Sequence, residues 1–70
     1  MSRNVILRRF GLKLRKLRQL HGMSQLQLAE KSHCSLQSIG NIERGIANFS
    51  ILMLFQIAKA FNMHPGDLLR

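Results

Sequence analysis

Residues 24–45 read SQLQLAEKSHCSLQSIGNIERG, and this stretch decides the fold. Ser24 and Gln27 have the spacing of a capping box, in which the serine hydroxyl accepts from the N3 amide and the glutamine reaches back to the N-cap. Ser35 is an N-cap candidate for the next helix, and Gly45 is typical of a residue that ends one. The stretch therefore predicts two short helices joined by a tight turn.

The second of these helices has an apolar face and a polar face. Ile39 and Ile42 share the side expected to be buried, whereas Gln37, Asn41 and Arg44 share the opposite side. Gln and Asn can form two hydrogen bonds to adenine, and Arg can bind guanine or phosphate. Such a helix pair is typical of the helix-turn-helix unit, whose second helix enters the major groove. An ordinary amphipathic surface helix would show the same two faces.

Charge is the strongest signal in the composition. The 70 residues include 11 Lys and Arg against three Asp and Glu, a formal net charge of +8. Many of the cations lie in the first quarter of the chain; they are Arg3, Arg8, Arg9, Lys13, Arg15, Lys16 and Arg18. This bias favours a polyanionic partner, either nucleic acid or an anionic membrane surface, although a cationic face can also serve solubility alone.

The basic segment itself predicts a helix from about Asn4 to His21. Its apolar residues recur every three or four positions, as one buried stripe requires; they are Leu7, Phe10, Leu14 and Leu17. Gly22 is expected to end this helix. A basic amphipathic helix can also lie on a membrane, and residues 24–70 would then be unnecessary for binding.

Two further helices are predicted after Gly45. One spans about Ser50 to Asn62, and its buried face comprises Ile51, Leu54, Ile57, Ala58 and Phe61. The other runs from Pro65 to Leu69, because proline suits the first helical position and Asp67 suits the first turn. We therefore predict one all-α domain of five helices over residues 1–70, without strands, linkers or repeats.

Catalytic, metal and membrane functions find little support in the sequence. Cys34 is the one cysteine, and we interpret it as a small core residue rather than a nucleophile paired with His33. The histidines and the cysteine lack paired metal-ligand spacing, and the three acids lie far apart. No apolar run reaches the roughly 18 residues of a membrane span, and the N-terminus has no secretory signal. We predict a cytoplasmic protein with no enzymatic activity, metal or cofactor.

Several spaced segments together resemble the Cro/repressor-like (XRE-type, lambda-repressor-like) helix-turn-helix family. They are Leu14-Arg15-Lys16-Leu17-Arg18, Gly22-Met23-Ser24-Gln25, Leu28-Ala29-Glu30-Lys31, Ile39 with Ile42-Glu43-Arg44-Gly45, Ile57-Ala58-Lys59-Ala60-Phe61 and Asp67-Leu68-Leu69. The resemblance covers about residues 10–70. It implies a compact five-helix domain of a bacterial or phage regulator, with the helix-turn-helix at its second and third helices, that binds double-stranded DNA.

The resemblance also implies roles for individual residues. Four residues match base-facing positions of the family, namely Leu36, Gln37, Ser38 and Asn41. Gln25 would bind a phosphate at the start of the second helix, where the helix dipole favours anions. Arg44 and Asn48 would lie near the second phosphate strand. Arg18 would pair with Glu43 across helices one and three and also lie near the DNA backbone.

The chain departs from the family pattern at several positions. His33 stands where the family usually has glycine, so the turn is expected to need a left-handed histidine, which is tolerated at some cost. Phe49 replaces a frequent proline, and Gly40 lies in the middle of a helix. Leu36 replaces a residue that is frequently polar, and its side chain would suit a thymine methyl group.

Exposed apolar residues predict self-association. Leu26 and Leu52 point away from the predicted buried stripes, although isolated exposed leucines are normal. The candidate dimer contacts are Leu52, Met53, Phe55, Leu68 and Leu69. We predict a homodimer on a palindromic operator, since dimers of this motif bind half-sites about one helical turn, roughly 34 Å, apart.

Two functions of different classes remain open. The leading prediction is a sequence-specific transcriptional regulator of the repressor, antitoxin or restriction–modification controller type. The alternative is a protein-interaction module, such as an antitoxin body, whose exposed leucines face a protein partner such as a toxin or a polymerase. Alanine at Gln37 and Asn41 would abolish specific DNA binding in the first case and spare partner binding in the second.

Overall fold

The computed structural model describes residues 2–70, and Met1, the first residue of the predicted domain, lies outside the described residues. The chain folds into α1 (Arg3–Leu20), α2 (Gln25–Ser32), α3 (Leu36–Glu43), α4 (Ile51–Ala60) and α5 (Pro65–Leu69). Within residues 2–70 there is no β-strand. The predicted all-α fold with five helices is confirmed.

Serine N-caps determine where the first four helices begin. The hydroxyls of Ser24 and Ser35 accept hydrogen bonds from the backbone amides of Gln27 and Ser38, each at 3.0 Å. Gln27 Oε1 accepts in turn from Ser24 N at 2.8 Å, so the predicted capping box is confirmed. The serines that precede α1 and α4 cap those helices in the same way. Each such cap contributes about 1 kcal/mol.

Left-handed residues end the first four helices. They are Gly22, His33, Gly45 and Asn62, with φ values of 67°, 59°, 73° and 56°. The next amide then donates to the carbonyl five residues earlier, as in Met23 N to Arg18 O at 3.0 Å. This is the Schellman arrangement. The predicted left-handed conformation of His33 is confirmed. Helix α4 ends at Ala60, two residues before its predicted end, because Asn62 leaves the helical conformation.

Side chains from all five helices form the core. Its buried members are Phe10, Leu14, Leu28, Ala29, Ile39, Ile42, Leu54, Ile57, Ala58, Phe61 and Leu68. Cys34 packs against this cluster half-buried, in line with its interpretation as a small core residue. Because Phe10 and Leu14 of the apolar stripe of α1 are buried here and Leu17 packs against the same cluster, these three side chains are not available to rest on a bilayer.

Two predictions about buried residues are wrong. Ile51 is 75% exposed, because Phe49 rather than Ile51 covers this end of the core and stacks on Phe10 with ring centroids 4.4 Å apart. Leu68 was a candidate dimer contact, but its side chain is only 1% exposed and packs among the core residues of its own chain. Leu68 therefore stabilises the monomer and presents nothing to a second copy.

The backbones of α1 and α3 touch at Gly11. A Cβ atom at this position would lie 2.4 Å from the carbonyl oxygen of Ile42 and 2.7 Å from that of Glu43. Any side chain larger than hydrogen would therefore push the two helices apart. This contact determines how closely the end of α3 is held against α1.

Lys13 joins α1 to α5 on the other side of the helix. Its Nζ donates to the carbonyl oxygen of Asp67 at 2.7 Å and also to that of Arg70. A cation is favourable at the C-terminal end of a helix, where unpaired carbonyl oxygens carry partial negative charge. The short α5 is thereby attached to α1 by a polar contact as well as by Leu68.

Candidate nucleic-acid interface

The two faces of α3 separate as the sequence predicts. Ile39 and Ile42 are buried in the core, whereas Leu36 and Gln37 are exposed near the start of the helix. Asn41 is half-buried on the same polar side. The helix is thus held by its apolar residues while its N-terminal turn and polar face point away from the domain.

The remaining polar residues of α3 form short local contacts. Ser38 is half-buried, and its hydroxyl accepts a hydrogen bond from Ser35 Oγ at 2.7 Å. Arg44 Nη2 donates to Asn41 Oδ1, so this amide and this guanidinium form one unit at the C-terminal end of α3. Because a carbonyl oxygen has two lone pairs, Asn41 Oδ1 can still accept a second hydrogen bond.

Arg18 and Glu43 form a nearly buried ion pair. Arg18 Nε donates to Glu43 Oε2 at 2.6 Å, and Arg18 Nη2 donates to Glu43 Oε1 at 3.1 Å. The third donor, Nη1, reaches the carbonyl oxygen of Met23 at 2.8 Å. The two side chains are only 12% and 3% exposed. The hydrogen bond to Glu43 raises the pKa of Arg18 above its usual value, although burial opposes this.

Gln25 belongs to the same hydrogen-bond network. It is the first residue of α2, and its Nε2 donates to Glu43 Oε1 at 3.0 Å. One carboxylate thereby connects the end of α1, the start of α2 and the end of α3. The side chain of Gln25 lies partly buried between the two helices rather than extended into solvent. Its remaining amide hydrogen and its carbonyl oxygen are the groups that a ligand could meet.

The last two predicted backbone contacts follow α3. Arg44 is the C-cap residue of α3 and is exposed, and Asn48 is exposed in the connection to α4. The structure therefore brings Arg18, Gln25 and Glu43 into one network and Arg44 onto Asn41. Leu36, Gln37 and Asn48 are exposed and belong to neither of these two groups.

Sequence reasoning missed Gly11, which sets the distance between α1 and α3, and Lys13, which holds α5. A glycine on the buried side of an otherwise regular amphipathic helix was the signal for the first. An attachment across 54 positions, as in Lys13 to Asp67, leaves no local signal.

Four apolar residues that were predicted from the sequence as dimer contacts lie on α4 and α5. Leu52, Phe55 and Leu69 are exposed, and Met53 is half-buried against the core. Across residues 2–70, no three or more His, Cys, Asp or Glu side chains group closely enough to hold a metal ion. None of the helices in that part of the chain is long and apolar enough to cross a membrane.

Known proteins match both the sequence and the fold. The family model for helix-turn-helix domains matches residues 14–68. The competence pilus inhibition repressor of Acinetobacter baylyi is 44% identical over 52 residues, which cover 74% of this chain but only 47% of that protein. An uncharacterised helix-turn-helix transcriptional regulator of Methanocaldococcus jannaschii is 39% identical over 56 residues, covering 80% of this chain and 85% of that protein.

Solved structures of regulator proteins share the fold of this chain. The restriction–modification controller protein C.AhdI from Aeromonas hydrophila superimposes with a TM-score of 0.86 at 37% identity, covering 89% of this chain and 94% of that one. The clp gene regulator ClgR from Corynebacterium glutamicum superimposes with a TM-score of 0.82 at 28% identity, covering 91% and 83%. The chain belongs to the Cro/repressor-like, XRE-type helix-turn-helix family of DNA-binding transcriptional regulators.

Proposed function

We propose that this domain is a cytoplasmic, sequence-specific regulator that binds a palindromic operator as a homodimer, with α3 of each copy in the major groove. The observation that carries this proposal is the arrangement of α3. Its buried residues, Ile39 and Ile42, hold the helix, while its opposite side presents an amide at Gln37 and the joined pair Asn41 and Arg44. A helix about 10–12 Å across fits a major groove about 12 Å wide.

The base-reading residues in this proposal are Leu36, Gln37, Ser38 and Asn41. Gln37 is exposed and can meet both the N6 and N7 atoms of an adenine. The contact from Arg44 orients the Asn41 amide before DNA arrives, which reduces the entropy lost on binding. Leu36 offers an apolar surface of the kind that suits a thymine methyl group.

Phosphate contacts in this proposal come from Arg18, Gln25, Arg44 and Asn48. Gln25 lies at the N-terminus of α2, where the helix dipole and the first-turn amides favour a phosphate. Arg44 and Asn48 follow α3, and the Arg44 side chain lies near that of Gln25, since a Cβ atom on Gly40 would meet them at 3.8 Å and 3.7 Å. Such phosphate contacts would position the recognition helix without themselves carrying sequence information.

Alanine at Gln37 or Asn41 tests the base-reading assignment. We expect each substitution to lower the preference for the cognate duplex by about 1–3 kcal/mol, roughly 5- to 150-fold, because each removes a pair of hydrogen bonds to one base. The duplex is first selected from a random pool with the unaltered domain. Binding to it and to a scrambled duplex is then measured by fluorescence anisotropy.

The matched control is Gln19→Ala, which removes an exposed amide from α1. This variant should bind the selected and the scrambled duplexes as the unaltered domain does. If Gln37→Ala and Asn41→Ala keep the full preference for the selected duplex, α3 does not read the bases through these residues.

Exposed apolar residues support the homodimer. Leu52 and Phe55 are 67% and 55% exposed on α4, and Leu69 is 64% exposed at the end of α5. We propose that they and the half-buried Met53 contribute to one apolar surface on the helices that follow the helix-turn-helix unit. Burial of such a surface in a two-fold interface would place two copies of α3 side by side for half-sites about 34 Å apart.

Glutamate at Phe55 tests the dimer surface. We expect Phe55→Glu to shift the sedimentation profile from dimer towards monomer, because a charge buried without a partner is strongly unfavourable. Leu20→Glu is the matched control, since Leu20 is 82% exposed on α1, a helix that carries none of the proposed dimer contacts. Equal sedimentation of the two variants across a concentration series would count against the assignment.

The same apolar surface also suits the alternative function, in which a protein partner covers it. A regulator and a protein-interaction module differ in what the Gln37→Ala, Asn41→Ala double variant does. The regulator loses control of its target promoter with the double variant, as measured by a reporter gene. The interaction module keeps its activity with that variant and loses it with Phe55→Glu.

A further inference from the structure

The cations of α1 lie on different sides of that helix. The side that faces α3 is marked by Gly11, whose position lies against the carbonyl oxygens of Ile42 and Glu43. The side that faces α5 is marked by Lys13, which donates to the carbonyl oxygen of Asp67. With 3.6 residues per turn, every other position on α1 can be placed relative to these two markers.

Arg8 and Arg15 lie on the α3 side. They are three residues before and four residues after Gly11, so the three residues form one stripe along the helix. A Cβ atom on Gly45, the residue after the C-cap of α3, would lie 2.8 Å from Arg8 Cα. Arg15 lies one turn before Arg18, whose guanidinium holds Glu43 at the last turn of α3. Both arginines therefore flank the C-terminal end of the recognition helix.

Both side chains are exposed and unpaired within residues 2–70. The acidic groups that could neutralise them are already engaged elsewhere, since Glu43 is bound by Arg18 and Asp67 by Arg70. The third acid, Glu30, lies on α2 and forms no ion pair with them. Two exposed arginines thus extend from the part of α1 beside the end of α3, and no ion pair within residues 2–70 neutralises their charge.

We infer that Arg8 and Arg15 form a second DNA-backbone-binding surface outside the helix-turn-helix unit, contacting phosphates beside the C-terminal end of α3. This inference rests on the proposed function. A recognition helix nearly fills the width of the major groove, so elements that abut its side face the phosphate strands that border the groove. Exposed guanidinium groups in that place would lie close to phosphate oxygens. A planar guanidinium donates strong, charge-assisted hydrogen bonds to such oxyanions.

Salt dependence separates this surface from the general effect of net charge. Each phosphate contact contributes about −0.9 to the slope of log K against log salt concentration. The full chain is titrated by fluorescence anisotropy with a labelled duplex of arbitrary sequence, about 20 base pairs or two helical turns long, over a salt series. The variants are Arg8→Gln, Arg15→Gln and Arg15→Lys. The control is Lys16→Gln, which removes one exposed charge three residues after Lys13, on the side of α1 away from Gly11.

We expect Arg8→Gln and Arg15→Gln each to reduce the magnitude of the slope by about 0.9 for every protomer bound. Arg15→Lys should keep the slope, and Lys16→Gln should change it by much less. Thermal unfolding of the variants is compared by circular dichroism, since the exposed arginines have no structural contacts to lose. Weaker binding should be equal on a selected operator and on the arbitrary duplex, because phosphate contacts carry no sequence information.

Equal slopes for Arg15→Gln and Lys16→Gln would overturn the inference and leave the proposed function standing, because net charge alone would then explain both. Loss of binding on the selected operator only would also overturn it, since that result would indicate base contacts. A flat salt response of the unaltered domain would overturn the proposed function itself. If the ligand of this surface is an acidic protein rather than DNA, the slope of log K for DNA against log salt concentration should be unchanged in Arg8→Gln and Arg15→Gln. That result would also overturn the inference.

Discussion

Replacement of Gly11 by alanine is expected to destabilise the domain by about 3 kcal/mol or more, at the upper end for overpacking. The added methyl group would lie 2.4 Å and 2.7 Å from two carbonyl oxygens of α3. Both are backbone atoms, so no side-chain rotation can relieve the contact and the helices must separate. Helix propensity alone predicts the opposite sign, a gain of about 1 kcal/mol. Thermal unfolding followed by circular dichroism should show a midpoint lowered by roughly 12–24 °C.

Gly40→Ala is the matched control for this substitution. Gly40 also lies inside a helix, but a Cβ atom there would meet Gln25 Oε1 at 3.7 Å and Arg44 Nη1 at 3.8 Å, which are ordinary contacts. Alanine should therefore stabilise the domain by about 0.5–1 kcal/mol. A Gly11→Ala variant as stable as Gly40→Ala would show that α1 and α3 are not in backbone contact.

Replacement of Glu43 by alanine is expected to cost about 3–5 kcal/mol, because it leaves a largely buried guanidinium without its partner. The carboxylate accepts from Arg18 Nε, Arg18 Nη2 and Gln25 Nε2. All three donors would lose their acceptor together. Urea unfolding measures the change, and a lower midpoint with an unchanged slope would indicate lost stability rather than an altered unfolded state.

The double variant Arg18→Met, Glu43→Leu shows whether the loss comes from the charge left behind. When both charges of a buried pair are replaced by apolar groups, the effect on stability is commonly small. We expect the double variant to be more stable than Glu43→Ala. Asp67→Ala removes the carboxylate of an exposed pair with Arg70 and should have a much smaller effect. A Glu43→Ala variant no less stable than Asp67→Ala would contradict this role for Glu43.

The helix boundaries were predictable because their signals are local. A serine followed three residues later by glutamine marks the start of α2, and the same hydroxyl chemistry at Ser35 marks the start of α3. Gly22 and Gly45 mark helix ends since both adopt positive φ. Nothing distant is needed to satisfy these groups, so a short window of sequence suffices.

Tertiary packing decides the positions where sequence reasoning failed. Ile51 fits the apolar spacing of α4, yet Phe49 covers that end of the core through its contact with Phe10. Leu68 and Leu69 are adjacent apolar residues in a five-residue helix, and only the packing of α5 shows which one is buried. The approach of α1 to α3 at Gly11 depends on the crossing of two helices distant in sequence.

The candidate site was predictable to a similar extent. Periodicity on α3 placed Gln37 on the exposed side, and the family resemblance implied the pairing of Arg18 with Glu43 that the structure contains. The hydrogen bond from Gln25 to that same carboxylate was not predictable, because it joins helices at an angle that no spacing rule encodes. It also means that one carboxylate supports two residues proposed to contact phosphate.

The internal attachments of the cations limit what the formal charge of +8 can mean for a ligand. Arg18 is paired with Glu43, and the ammonium of Lys13 donates hydrogen bonds to carbonyl oxygens at the end of α5. Arg18 can therefore contact a phosphate while adding little net positive charge, and Lys13 would have to leave its acceptors at the end of α5 to reach one. The number of cations that binding displaces from the DNA should therefore fall well short of the number of basic residues, and it should depend on how many exposed arginines meet phosphates rather than on how many cations the chain contains.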